Sequence, residues 1–240
     1  MMSKICGHRG AAKYKPENTM SGFEWCVQNS IEWAECDVQL TNEGVLLVIH
    51  DDTLDRTSDT TGLVKEIRKK ELEKINVGEI DPTNFFFQKI PKMEELLGFC
   101  KNNKLKLNIE MKFYNPIKIS YREKLVSSLL QAIKKNKIKD QVLVTSFDLD
   151  SLFLLKKYSS QIPVGVLYER LPKNWEQNAK DLNASTIHLD YKSVNGDQIN
   201  QISKLDIQTF VYTCNHPPEI DALWKFGLSG VITDDPLKFK

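Results

Sequence analysis

Short apolar runs recur along the whole of this chain, separated by stretches with helical period, and that alternation limits the fold more than any other feature of the sequence. The runs are KICGH (4 to 8), WAECDVQL (33 to 40), VLLVIH (45 to 50), LKLNIEMK (105 to 112), QVLVTSF (141 to 147), IPVGVLY (162 to 168), ASTIHLD (184 to 190), IQTFVYT (207 to 213) and SGVITD (229 to 234). Strands that alternate with helix-length segments imply a parallel sheet with helices packed outside it. Nine runs exceed the eight of a closed parallel barrel, and one connection shows which to set aside. Only TNEG separates 33 to 40 from 45 to 50, a turn that can join antiparallel strands, whereas parallel ones need a crossover of a dozen or more residues. VLLVIH is therefore a hairpin return. Helix-length segments lie at roughly 17 to 29, 92 to 102, 120 to 137, 148 to 159, 173 to 180, 195 to 204 and 216 to 226, and the helix closing the barrel after the last strand is missing or very short.

The expectation is an α/β chain folded as a TIM (β/α)8 barrel, with a β-hairpin and a small insertion after the second barrel strand. One catalytic domain spans 1–240, and the insertion at about 51–91 holds polar turns and a short helical piece around IRKKELEKI. A length of 240 residues suits a single barrel. A net charge of +1 argues against a nucleic-acid or anionic-membrane partner. Five cysteines without a CxxC pair argue against a disulfide framework or a thiolate zinc site and fit a reducing compartment. The N-terminal MMSKICGHRG has no apolar core of a signal peptide, and no apolar run reaches membrane-spanning length, so a cytoplasmic protein without a stable membrane anchor is expected.

A barrel of this kind places its active site at the C-terminal ends of the strands. Those ends carry His8 and Arg9, then Glu35 and Asp37, then His50 and Asp51 on the hairpin return, then Glu110 and Lys112; further round come Ser146, Phe147, Glu169, His188, Tyr212 and Asp234. Glu35 and Asp37 are two apart on one strand and share a face, and Glu110 and Lys112 repeat the arrangement. Cys36 between the two acids faces outward, apolar as helix packing requires. Three carboxylates directed at one point repel unless a cation intervenes, and an all-oxygen donor set favours Mg2+ or Ca2+. Arg9 and Lys112 suit the oxygens of a phosphate, and His8 and His50 can exchange acid and base duties near neutral pH. The set describes metal-assisted cleavage of a phosphodiester. Phe147, His188 and Tyr212 are further candidate substrate contacts, although His188 in TIHLD reads equally as a core histidine. Pro16 to Thr19 also reads as the loop that starts the first helix, with Asn18 or Thr19 as its cap.

GHRGAAKYKPENTMSGF, ECDVQLTNEGVLLVIHDDTLDRTSDTTG, NIEMK, VTSF and GVITDDP together resemble the glycerophosphodiester phosphodiesterase family, in order and over about residues 5 to 236. The resemblance implies a TIM barrel that hydrolyses small-molecule glycerophosphodiesters to glycerol 3-phosphate and an alcohol with a divalent cation. It implies His8 and His50 as the catalytic pair, Glu35, Asp37 and Glu110 as metal ligands, Arg9 and Lys112 as phosphate contacts, and Asn18 of PENT as a polar group beside the metal. Many members carry a Trp where VYTCN has Tyr212, which bears on specificity. Two rival readings are a lysophospholipid-cleaving phospholipase D-type or cyclising phospholipase C-type enzyme, and a non-catalytic barrel that binds phosphate esters. A lipid substrate would call on NFFFQKI (84 to 90), whose Phe85 to Phe87 read better as packing for the insertion.

Overall fold

A computed structural model describes residues 1–78 and 87–240. Eight parallel strands close on themselves: β1 (Ile5–Gly7), β2 (Trp33–Leu40), β4 (Lys106–Met111), β5 (Val142–Ser146), β6 (Val164–Tyr168), β7 (Thr186–Asp190), β8 (Gln208–Tyr212) and β9 (Gly230–Thr233). Closure comes from β1, which pairs in parallel with both β2 and β9. The remaining strand, β3 (Leu46–Val48), pairs antiparallel with β2 through Val38 opposite Val48 and is the expected hairpin return. Helices α1 (Met20–Gln28), α2 (Met93–Asn103), α3 (Ile119–Asn136), α4 (Leu149–Tyr158), α5 (Trp175–Leu182), α6 (Gly196–Ser203) and α7 (Asp221–Trp224) fill the crossovers, and a single 3-10 turn, Pro236–Phe239, follows β9. Among the described residues no helix is long and apolar enough to cross a membrane.

The outward positions of the strands, among them Ala34, Cys36, Val38, Leu107, Ile109, Val144, Val164, Val166, Ile187 and Leu189, join the buried faces of α1 to α5 in one apolar shell. Each fully buried aliphatic side chain there contributes about 1.5–3 kcal/mol. All five cysteines are buried and unbridged. The inward positions are layered. Cys6, Trp33, Leu143, Phe210 and Ile232 close the lower end with Met2. Above them lies a polar layer in which Thr145 donates to Asn108 Oδ1 at 2.9 Å and the Thr186 hydroxyl lies 2.9 Å from His188 Nε2. Gly165 leaves room for it, since a Cβ there would stand 2.1 Å from Thr186 Oγ1 and 2.9 Å from Thr145 Cγ2.

Several local expectations need correction. The first strand stops at Gly7, because Arg9, Gly10 and Ala11 all take positive φ, so His8 and Arg9 project from the turn rather than the strand. The hairpin return likewise ends at Val48, two residues short of His50. Neither Asn18 nor Thr19 caps α1 with its side chain: Thr19 donates back to Pro16 O, and Asn18 has φ +56 and turns inward to Asp37. Instead of one helix over 216 to 226 there are Pro217–Glu219 and the one-turn α7, as befits consecutive prolines and Gly227 at φ +96. The helical piece of the insertion is two 3-10 turns, Val64–Glu66 and Leu72–Lys74, whose apolar residues gather with Leu47 and Ile49 into a separate small cluster. Phe85 and Phe86 lie outside the described residues; Phe87 is exposed.

Candidate active site

Three carboxylates converge at the mouth of the barrel. β2 aligns Asp37 with Glu110 of β4, and one oxygen from each of Glu35, Asp37 and Glu110 lies within 4.8 Å of the others. Glu35 and Asp37 are almost wholly buried. Burial, then the charges of Asp37 and Glu110, push the Glu35 carboxyl well above its ordinary range, and burial with Asp37 raises Glu110 despite the neighbouring Lys112. Burial works against Asp37 too, but Arg9, Lys112 and His50, with a hydrogen bond donated by the Asn18 amide, hold it below the usual carboxylate value. Two acids that resist ionisation beside one that does not form an oxygen cage that a hard divalent cation would neutralise, so the donor set fits Mg2+ or Ca2+.

The side chains around the cage are themselves fixed. Asn18 clamps Asp37 twice, its Nδ2 donating to Oδ2 at 2.9 Å and its Oδ1 accepting from the Asp37 backbone at 3.2 Å. The Arg9 backbone donates to Glu35 Oε2 at 2.9 Å. Its side-chain Nε, 3.4 Å from Asp37 Oδ2, is within ion-pair range but has no hydrogen-bond partner among the described residues. That is a buried donor with capacity for an anionic oxygen. Lys112 Nζ donates to Glu110 Oε1 at 2.7 Å and reaches His50 Nε2 at 3.2 Å and Asp37 Oδ1 at 3.8 Å.

His8 and His50 approach this cluster as matched units. His8 Nδ1 is 2.7 Å from Asp234 Oδ1, and its Nε2 lies 4.0 Å from Glu35 Oε2. Asp234 is held in turn by Asn215, which donates to Oδ2 at 2.8 Å while accepting from the Asp234 backbone and from Thr233. His50 Nδ1 is 2.6 Å from Asp51 Oδ1. A carboxylate on Nδ1 selects the tautomer in which Nε2 is the proton acceptor, and for His50 that nitrogen faces Lys112 Nζ. Burial, with Lys112 and Arg9, lowers the His50 imidazole against the pull of Asp37 and Asp51.

Phe147, just past β5 and half exposed, meets Tyr212 edge-on at 6.0 Å, and Lys112 Nζ stands 6.0 Å from the Phe147 ring centroid. These two aromatics form a wall beside the charged cluster. Their placement at the mouth agrees with that of His8, Arg9, Asn18, Glu35, Asp37, His50, Glu110 and Lys112. His188 is not brought there: it has no exposed surface, packs on Phe210 and shares a hydrogen bond with Thr186 in the polar layer below. That is the position of a core histidine.

Sequence reading assigned no role to Asp234, Asn215, Asp51, Arg56 or Glu17. Asp51 adjoins His50, so a local signal existed for it. Asp234 and His8 are 226 residues apart, and only the closure of β1 on β9 makes them neighbours.

Comparison with known proteins agrees with this geometry. The model of the glycerophosphoryl diester phosphodiesterase family matches residues 8–238. The chain is 33% identical to a glycerophosphodiester phosphodiesterase of Bacillus altitudinis, covering 98% of this chain and 96% of the relative, and 31% identical to one of Caldanaerobacter subterraneus over 98% and 96%. Among solved structures, it superposes with a TM-score of 0.92 and 25% identity on an Oleispira antarctica phosphodiesterase in complex with the product sn-glycerol-3-phosphate, covering 99% of this chain and 95% of that one. The chain therefore belongs to the glycerophosphoryl diester phosphodiesterase family.

Proposed function

We propose that this chain hydrolyses small-molecule glycerophosphodiesters to glycerol 3-phosphate and an alcohol, dependent on a divalent cation, with His8 and His50 as its acid–base pair. One observation carries the reading: two histidines, each held through Nδ1 by an aspartate, flank a cage of three carboxylate oxygens within 4.8 Å of one another. Glu35, Asp37 and Glu110 would hold Mg2+ or Ca2+, which when bound supplies Lewis-acid neutralisation of phosphoryl charge. Arg9 and Lys112 bind the remaining phosphate oxygens. One histidine removes the proton from the glycerol hydroxyl next to the phosphate, and that oxygen bonds to phosphorus. The P–O bond to the alcohol breaks, and the departing oxygen takes its proton from the other histidine. Water then opens the cyclic phosphate with the two roles reversed. Phe147 and Tyr212 wall the glycerol side. The chain is read as one catalytic domain, and five buried, unbridged cysteines support a reducing, cytoplasmic setting.

The test measures glycerol 3-phosphate released from glycerophosphocholine with and without EDTA, in wild type and in His8→Ala and His50→Ala. Loss in EDTA, restored by cation, and a fall of about 10²-fold or more in each folded variant are expected. Near-normal turnover in either variant overturns the acid–base assignment, and turnover that EDTA leaves intact overturns the cation requirement. Equal cleavage of a diester lacking the vicinal hydroxyl excludes the cyclic route.

A further inference from the structure

Arg56, six residues beyond His50 in the insertion, touches neither the carboxylate cage nor an Nε2 edge of either histidine, yet all three of its side-chain nitrogens are occupied. Nε and Nη2 donate to Asp51 Oδ2 at 2.6 Å and Oδ1 at 2.9 Å. Nη1 and Nη2 donate to Glu17 Oε2 at 2.6 Å and Oε1 at 2.8 Å. Glu17 Oε1 also accepts from Arg9 Nη1 at 2.8 Å. A continuous chain Arg9–Glu17–Arg56–Asp51–His50 thus joins the loop after β1 to the loop after β3. Both contacts of Arg56 are planar forks, a geometry that a lysine ammonium cannot reproduce. The side chain is about half exposed, and exposed ion pairs add little to global stability. Its effect is therefore local, on what Asp51 and Glu17 themselves hold.

We propose that Arg56 is a positioning residue: by gripping Asp51 and Glu17 together it keeps the His50 ring in its Nδ1–H tautomer, with Nε2 turned to the mouth, and keeps Arg9 in place on the other side of the cage. The proposal rests on the acid–base reading of His50 given above.

The test uses the full chain with Mg2+ at mildly alkaline pH, as wild type, Arg56→Met, Arg56→Lys and His50→Gln. Long-range 15N–1H spectra report the tautomer of the His50 ring, whose signals are identified by their loss in His50→Gln. Steady-state kinetics with glycerophosphocholine separate kcat from KM. Wild type should show His50 in the Nδ1–H form. Arg56→Met should show a mixture of tautomers and a kcat lower by about 10- to 100-fold, the scale for partners behind a site residue, with KM moved far less and the urea midpoint nearly unchanged. Arg56→Lys keeps the charge but not the forks and should remain close to the Met variant. Wild-type kcat in Arg56→Lys, or a wild-type tautomer in either Arg56 variant, overturns the proposal. Full activity in His50→Gln would instead overturn the acid–base reading, while the spectra still judge the grip of Arg56 on the ring.

Discussion

His188 should make this protein acid-sensitive in a way that one substitution removes. The imidazole has no exposed surface, its Nδ1 has no hydrogen-bond partner among the described residues, and burial pushes its pKa down from 6.5 to about 3. A histidine depressed in the folded state contributes stability that is complete above the unfolded value and is lost as pH falls from about 6.5 toward about 3. At pH 5 the unfolded chain has protonated this ring and the native state has not, a gap of roughly 1.5 units or about 2 kcal/mol. That figure holds for any native value well below 5, so it does not depend on the depth of the depression. At pH 7 the loss is only about 0.2 kcal/mol. His188→Gln removes the titration while keeping a polar partner for Thr186. Urea unfolding of both proteins at pH 7 and pH 5 should show wild type losing about 2 kcal/mol more than the variant over that interval. Other titrating groups are common to both and cancel. Equal losses would mean that the ring is hydrated or protonated in the native state, and the account of the polar layer would fail.

Two further outcomes follow from the same structure. Glu35 and Glu110 are raised carboxyls, so in metal-free protein their contribution is greatest below their unfolded value near 4.5 and falls as pH rises. Mg2+ competes with protons for those oxygens, so thermal melts should show it raising Tm more at pH 8 than at pH 5; an equal rise at both would place the cation elsewhere. Gly22 on α1 faces Gly10 so closely that a Cβ would stand 2.5 Å from Gly10 O. Gly22→Ala should cost about 1–3 kcal/mol and lower activity by displacing the Arg9 turn, whereas Gly98→Ala on α2, whose Cβ would meet only Asn136 Oδ1 at 3.9 Å, should gain about 0.5–1 kcal/mol; a harmless Gly22→Ala in chemical unfolding would refute the contact.

The parts of this molecule that could be read from its sequence are those governed by short-range periodicity. Alternation along β2 places Glu35 and Asp37 on one face whatever lies around them, and a four-residue link obliges β3 to return antiparallel. The parts that could not are those where a distant partner decides. Asn18 has the composition of a helix cap, but its amide finds Asp37, 19 residues on, and leaves α1 without a side-chain cap. His188 has the chemistry of a mouth residue, yet register places it opposite Phe210, where its ring meets the Thr186 hydroxyl below the mouth. The small apolar cluster of the insertion includes Leu47 and Ile49, which lie before it in the chain on the hairpin return. Arg56 sits in a motif that sequence inspection registers, but nothing local says that its forks close on Glu17, 39 residues earlier.

The strand β1 is only three residues long, and it is held on one side by β2 and on the other by β9. His8 follows β1, and Asp234, which holds its Nδ1, follows β9. Pairing across 226 residues carries the slowest kind of chain closure. The three carboxylates come from the neighbouring strands β2 and β4 and do not depend on the seam between β1 and β9, whereas the contact that holds His8 does. A loosened β1–β9 seam would therefore part His8 from Asp234 before it disturbed the carboxylates.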